Sequence, residues 1–280
     1  MRGEIKAEGL YLYCLRKKSK SSQILSVKGI DGKEEVFIIP YQGLEAVVSK
    51  VSLEEFASEE IKRKAQEDLN WIKEKAVIHE KVVEEAMRKN GKILNLIPMR
   101  FGTIFQDKVR LEETLKKDYS KVMEVLERIR RKQEWSVKLY LGDREKFKQT
   151  IKKNNKTIIE KEKEIASLSE GMAFFLEEQL KEVISKEVEK GINKMMEGAF
   201  ESLKKQAVTA VKNKILGKEL IGRQESMVLN AAYLVLEEKM EDFKKEAEDL
   251  NHKMQGKGFF IEYSGPWPAY NFTSLEIEKK

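Results

Sequence analysis

The strongest constraint in this chain is a spacing. From Ile165 onward, apolar residues recur at steps of three and four: Leu168, Met172, Phe175, Leu176, Leu180, Val183 and Ile184, then Ile192, Met195, Ala199, Leu203 and Ala207. Such steps return to one side of an α-helix but scatter over both faces of a strand. A second series keeps the same rhythm: Leu229, Tyr233, Leu236, Met240, Phe243, Ala247, Leu250 and Met254. Unbroken steps of three and four are what a coiled-coil seam shows. A loop near Leu216 and Gly217 turns the chain between the two series. Two long antiparallel helices facing each other are the simplest way for both stripes to leave water.

The first half reads differently. "GLYLYCLRK" (9–17) is a strand signal, and "EVFIIPYQGLEAVVSKV" (35–51) reads as two strands joined at Gln42 and Gly43, where Gly43 can take positive φ. The stretch with Gly29, Asp31 and Gly32 reads as loop. From Glu59 to Asn90, Ile61, Ala65, Leu69, Ile72, Ala76, His79, Val83 and Met87 share one helical face, and Gly91 reads as its C-terminal cap. "ILNLIPMRFGTIF" (93–105) is a further strand signal, and a helix is expected from about Val109 to Arg131. "EWSVKLYL" (134–141) then alternates, with Trp135, Val137, Leu139 and Leu141 on one side. That change, after Arg128, Arg130, Arg131 and Lys132, divides the chain into domains 1–133 and 134–280. "KGFFIEYSG" (257–265) reads as a closing strand able to pair with 134–141, and "IKKNNKTIIEKEKE" (151–164) as a charged helix or a mobile linker.

Composition narrows the function. With 41% apolar residues in 280, both domains can bury a core, and 36% charge with only four prolines favours solvated helices. Cys14 is the only cysteine, which excludes an intramolecular disulfide and reads as a structural thiol on a strand. No segment approaches the roughly 20 apolar residues of a membrane span, and the N-terminus lacks a secretion signal, so a cytoplasmic protein is expected. Of two histidines, His79 falls on an apolar helix face and His252 near a helix end. Carboxylates lie in mixed runs such as "EEKMEDFKKEAED" (237–249), where pairing with lysines one turn away is the ordinary explanation. No phosphate loop, dinucleotide fingerprint or HExxH pairing occurs. The sequence thus predicts no catalytic residue, no metal ligand and no cofactor. The net charge of +6 belongs to the first half, and part of it is Arg16, Lys17, Lys18 and Lys20, read as a solvated loop or a polyanion contact. A basic nucleic-acid-binding protein or a coiled-coil regulatory adaptor is the alternative function, although lysines alternate with acids along every helix.

Three segments carry a resemblance: "LNWIKEKAVIHEKVV" (69–83), "LIPMRFGTIFQDKVRL" (96–111) and "GPWPAYNF" (265–272). In order and spacing they resemble the hallmark segments of the gas vesicle protein F/L family. "EWSVKLYL" resembles the first strand of that family's second domain, and "NAAYLVLEEKMEDF" (230–243) its late helix. Ala269 stands where a second proline is expected. The resemblance implies an α+β protein, with a ferredoxin-like N-terminal domain and a helix-rich C-terminal domain of long antiparallel helices and a small sheet. It implies a non-enzymatic accessory protein that binds the small hydrophobic shell protein of the gas vesicle and assists nucleation or assembly. Other gas vesicle accessory proteins are implied partners, nucleic acid and membrane are not, and association with the vesicle is compatible with a cytoplasmic location. The motif residues carried over are Trp71, Pro98, Arg100, Phe101, Gly102, Thr103, Trp135, Gly265, Pro266, Trp267, Pro268, Tyr270 and Phe272.

A shell that excludes water needs subunits with an apolar face, and a helper must cover that face or seed its ordered polymerisation. Phe174, Phe175, Met195 and Met196 are candidates for a groove that takes it, the alternative being the core of the helical pair. Pro98 is expected at a strand end or edge, and Arg100 in a carboxylate pair or exposed toward a partner. Gly102 is expected to give a turn, and Thr103 a cap or turn hydrogen bond. With φ fixed at Pro266 and Pro268, "GPWPAYNF" is expected to lay Trp267, Tyr270 and Phe272 against the second domain as an aromatic clasp.

Overall fold

The computed structural model describes residues 8–19, 25–56, 58–89 and 91–275. The chain forms two compact units, residues 1–133 together with 266–280, and residues 134–265. The division between 133 and 134 is the one expected; residues 266–275, expected with the second domain, group with the first unit.

In the first unit the central strand is β1 (Glu8–Lys17), whose interior is buried without a break. It pairs antiparallel with β3 (Leu44–Ser52), which pairs in turn with β2 (Val36–Tyr41) across the expected hairpin. The positive φ of that turn belongs to Gln42 (50°), not to Gly43. Three helices follow: the short α1 (Leu53–Phe56) and α2 (Ser58–Glu67) and the longer α3 (Leu69–Met87). The single helix expected over 59–90 is broken because Asp68 leaves helical φ,ψ and its carboxylate accepts from Trp71 N–H at 2.9 Å, starting α3 anew. Gly91 (φ 74°) does not cap that helix, which ends at Met87. It lies in the turn between β4 (Arg88–Lys89) and β5 (Lys92–Ile93).

The stretch read as one strand over 93–105 also splits, into β6 (Leu96–Pro98) and β7 (Ile104–Phe105). Both pair antiparallel with β1, and the sheet order is β2-β3-β1-β6 with β7 also on β1. Pro98, which has no N–H, ends the edge strand β6. Helix α4 (Lys108–Arg128) is capped by Asp107, which accepts from Arg110 N–H. Residues Val82, Val83, Ala86 and Met87 of α3 join Tyr11, Tyr13 and Val47 in one core cluster. Helix α4 also packs on β1 and buries Leu111, Leu115, Val122, Val125 and Leu126. The α+β class expected of the chain is the one it adopts; in this unit the β2-β3 hairpin precedes the first long helix.

The second unit is a four-stranded sheet with helices packed on it. β8 (Lys132–Leu141) leads into α5 (Arg144–Asn154), α6 (Lys156–Ile165) and the 35-residue α7 (Glu170–Lys204). β9 (Thr209–Lys212), α8 (Lys218–Ile221) and β10 (Ser226–Leu236) follow, then α9 (Met240–Gln255) and β11 (Phe259–Trp267). The order is β11-β8-β10-β9, so the closing strand does neighbour β8 as expected. The tract 151–164, left open as helix or linker, is the end of α5 and most of α6.

The second expected long helix is half strand. Leu229, Tyr233 and Leu236 lie in β10, and only Met240, Phe243, Ala247, Leu250 and Met254 form the buried stripe of α9. A central strand buried along much of both faces reads as a continuous apolar run, and "MVLNAAYLVL" happens also to fit steps of three and four. Helix α7 therefore packs against α5 and α6 along one part of its length, and against α9 and β10 along another.

Candidate partner-binding surface

The family-motif residues of the first unit meet around β1. The break between β6 and β7 is filled by Met99 to Thr103: Met99 N–H donates to Tyr13 C=O and Leu12 N–H donates to Thr103 C=O, both at 2.8 Å. This loop stands beside the register shift between Leu12 and Cys14. Within it Thr103 Oγ1 donates to Arg100 C=O at 2.7 Å, and Gly102 turns with φ 77°. Thr103 and Gly102 thus take the expected turn roles. The Tyr11 hydroxyl accepts from Gly102 N–H at 2.9 Å and lies 3.0 Å from His79 Nδ1. Having accepted one proton, it can donate its own to Nδ1. Phe101 stacks edge-on against Tyr11 and His79, with centroids 6.3 and 6.1 Å away. Burial holds the His79 pKa down at about 4, the Met99 backbone offsetting a part, so this histidine is neutral at physiological pH. Trp71 packs on Phe56 at 5.6 Å, with the Lys64 ammonium 4.3 Å above its ring. Arg100 is exposed.

Two readings of charged and reactive groups are settled by burial. Cys14 is fully buried, and burial pushes its thiol up to about 12, which leaves no thiolate at neutral pH. The basic cluster is not a solvated loop as a whole. Arg16 is buried in β1, with Nε 2.8 Å from Glu45 Oε2 and Nη1 donating to Ala86 C=O. Lys17 pairs with Glu127 at 2.6 Å, and Lys20 lies outside the described residues. Among the described residues no group of His, Cys, Asp and Glu could hold a metal ion, and no helix is long and apolar enough to cross a membrane.

The segment "GPWPAYNF" is divided. Gly265 closes the second unit at φ 151°, where a Cβ would fall 2.9 Å from Trp135 Cδ2 and 3.0 Å from Glu134 C=O. Trp135 is buried beside Phe243 and Tyr263. From Pro266 the chain groups with the first unit, although β11 runs on to Trp267. There Phe272 C=O accepts from Arg128 Nη2 at 3.1 Å, at the end of α4, and Thr273 Oγ1 donates to Ala269 C=O. Pro268 and Ala269 are buried, Pro266, Trp267 and Phe272 half-buried, and Tyr270 is 40% exposed.

The four groove candidates do not form one surface. Met195 and Met196 are half-buried against the core of the second unit. Phe174 and Phe175 lie some twenty residues earlier on α7, about 30 Å away at 1.5 Å per residue, and are 67% and 63% exposed. They have company that the periodicity concealed. Met172 is 59% exposed, and Met172 to Leu176 are five consecutive apolar residues. At about 100° per residue such a run leaves no polar side on the helix. A helix apolar all round is normally buried, yet here only Ala173 and Leu176 are partly covered. The visible signal was the uninterrupted "MAFFL" in a charged helix. The collar continues into a groove of about 330 Å³ between the ends of α5 and α6 and the side of α7, floored by Ile165, Ala166, Leu180 and Ile184.

Comparison with known proteins places the chain. The family model described as "Gas vesicle synthesis protein GvpL/GvpF" matches residues 9–274. Gas vesicle protein L1 of Halobacterium salinarum is 26% identical over 277 residues, covering 95% of this chain and 91% of that protein. Gas vesicle protein F1 of the same organism is 22% identical over 270 residues, covering 96% and 95%. The crystal structure of GvpF from Anabaena sp. PCC7120 shares the fold with a TM-score of 0.68 at 19% identity, covering 96% of this chain and 97% of that one. GvpF from Microcystis aeruginosa does so with a TM-score of 0.65 at 19% identity, covering 95% and 99%.

Proposed function

Because this chain belongs to the gas vesicle GvpL/GvpF family, and so has an accessory role in gas vesicles, we propose that it binds the small hydrophobic shell protein in the cytoplasm and assists nucleation or assembly of the vesicle. The observation that carries this reading is the apolar collar Met172 to Leu176, presented to solvent in a chain that is 36% charged. An exposed run of this kind marks an interaction site, since leaving such area in water is unfavourable unless a partner removes it. A shell subunit has the complementary problem: its apolar face aggregates until it is built into the wall. Transient burial of one against the other keeps the subunit soluble, and the charged faces of α7 keep the complex so. Phe and Met suit this task because their large, adaptable surfaces gain much from burial without demanding one geometry.

The test is deletion of the gene, with electron microscopy for vesicles, followed by complementation. Wild-type protein restores vesicles and co-purifies with the shell protein. The variant Phe174→Glu/Phe175→Glu folds normally, because both side chains are exposed, yet fails to restore vesicles and loses the shell protein. Normal vesicles in the deletion strain would overturn the requirement, and full complementation by the variant would overturn the collar as the binding surface.

A further inference from the structure

The collar has a sign of charge as well as an apolar surface. Residues 164–178 contain Glu164, Glu170, Glu177 and Glu178 and no lysine or arginine. Glu178 is matched by Lys181 at 2.6 Å, and on the groove rim Lys152 closes on Glu162 at 2.7 Å. Glu164, Glu170 and Glu177 have no salt bridge among the described residues. On α7 from Glu170 to Lys181 three glutamates face one lysine, an excess of two negative charges in a chain whose net charge is +6. The sign of charge along this part of α7 is thus opposite to that of the molecule, and it flanks a run of five apolar residues of which Met172, Phe174 and Phe175 stand exposed.

The walls fix the form of an occupant. Collar and groove run along α7 from Met172 to Ile184, about 18 Å or three to four helical turns. Both walls are helices whose backbone hydrogen bonds are internal, so they offer no ladder to an extended peptide. A helix brings its own backbone bonds and needs only apolar anchors one turn apart. Resting on the reading that this surface takes an apolar partner, we propose that the occupant is an amphipathic helix whose apolar stripe is flanked by lysine or arginine. The apolar stripe would lie over Phe174, Leu180 and Ile184, and the flanking cations would meet Glu164, Glu170 and Glu177. Complementary charge of this kind selects the partner and speeds encounter more than it adds affinity.

Fluorescein-labelled synthetic helices with identical leucine stripes, flanked by lysine in one and glutamate in the other, test this by anisotropy with the full-length protein. The lysine peptide is expected to bind about tenfold tighter at about 50 mM salt, with the ratio falling toward one near 0.5 M as screening sets in. The triple variant E164Q/E170Q/E177Q, whose three side chains make no ion pair to lose, is expected to remove most of that ratio while retaining leucine-driven binding. F174E/F175E weakens both peptides. Equal affinities, a tighter glutamate peptide, no binding of either, or a ratio unchanged in the triple variant would overturn the proposal. Vesicle complementation by F174E/F175E reads the accessory role separately. Loss of vesicles together with equal peptide affinities would sink the cationic helix and leave the function standing.

Discussion

Replacing Glu45 by alanine tests how the first unit is held together. The Arg16 side chain is 1% exposed and that of Glu45 8%, with Nε to Oε2 at 2.8 Å. The second oxygen of Glu45 accepts from Ser19 N–H at 3.2 Å, and Arg16 Nη1 donates to Ala86 C=O at 2.7 Å, tying β1 to β3 and α3. Removing the carboxylate takes the Glu45 charge away from a buried guanidinium, and breaking a buried pair costs about 3–5 kcal/mol. Against a domain stability of about 5–15 kcal/mol this is a large share. With a urea dependence of about 2 kcal/mol per molar, the unfolding midpoint should fall by about 1.5–2.5 M. The assay is urea unfolding followed by tryptophan fluorescence. Trp71 reports the first unit and Trp135 the second, so Trp→Phe backgrounds assign the loss. The pair Arg16→Met/Glu45→Leu should recover most of it, since an apolar replacement of both partners removes the desolvation penalty. A Glu45→Ala midpoint within about 0.5 M of wild type would refute the reasoning. It would mean that Arg16 reaches water or a second carboxylate.

Further outcomes follow from the same packing. The folded pKa of His79, about 4, lies below the ordinary 6.5, so the unfolded chain binds more protons between those values. Stability is therefore full above pH 6.5 and declines by up to about 3 kcal/mol as the pH falls to 4. His79→Gln, whose amide oxygen can still accept from Tyr11, should flatten that slope in urea titrations run between pH 4 and 7. Gly102→Ala places a Cβ at φ 77° and 3.3 Å from Ile61 Cδ1, and should lower stability by about 1–2 kcal/mol in thermal unfolding. Gly265→Ala drives a Cβ toward Trp135 and Glu134 C=O at φ 151°; a cost of about 1–3 kcal/mol and a shifted Trp135 emission are expected.

Much of the fold was legible because local spacing reports local geometry. The β2-β3 hairpin, α4, the long α7 and the strands β8 and β11 all stand where alternation or three-four steps put them. So does the neutral, buried His79, because an apolar helix face leaves a histidine few other fates. The collar is half legible: Phe174 and Phe175 stand out in the sequence, but three-four spacing assigns Met172 and Phe175 to the buried stripe, whereas the fold leaves both exposed. Met195 and Met196 were grouped with Phe174 and Phe175 by residue type, and about 30 Å of helix separates the pairs.

What sequence alone determined, then, is most helices and strands by period and the presence of an uninterrupted apolar run; that three of its residues stand in solvent came from the fold. Tertiary structure decided three other things, each through burial of groups distant in sequence. β10 is a strand and not a helix because β8 and β9 complete its hydrogen bonds on either side, a gain no window of ten residues can contain. Arg16 is interior because Glu45 and Ala86 meet it there, 29 and 70 residues away. Residues 266–275 belong to the first unit, where the end of α4 offers Arg128 to Phe272 C=O. Proline and aromatic residues fix that segment's stiffness and its need for cover; only the folded chain determines which unit supplies it.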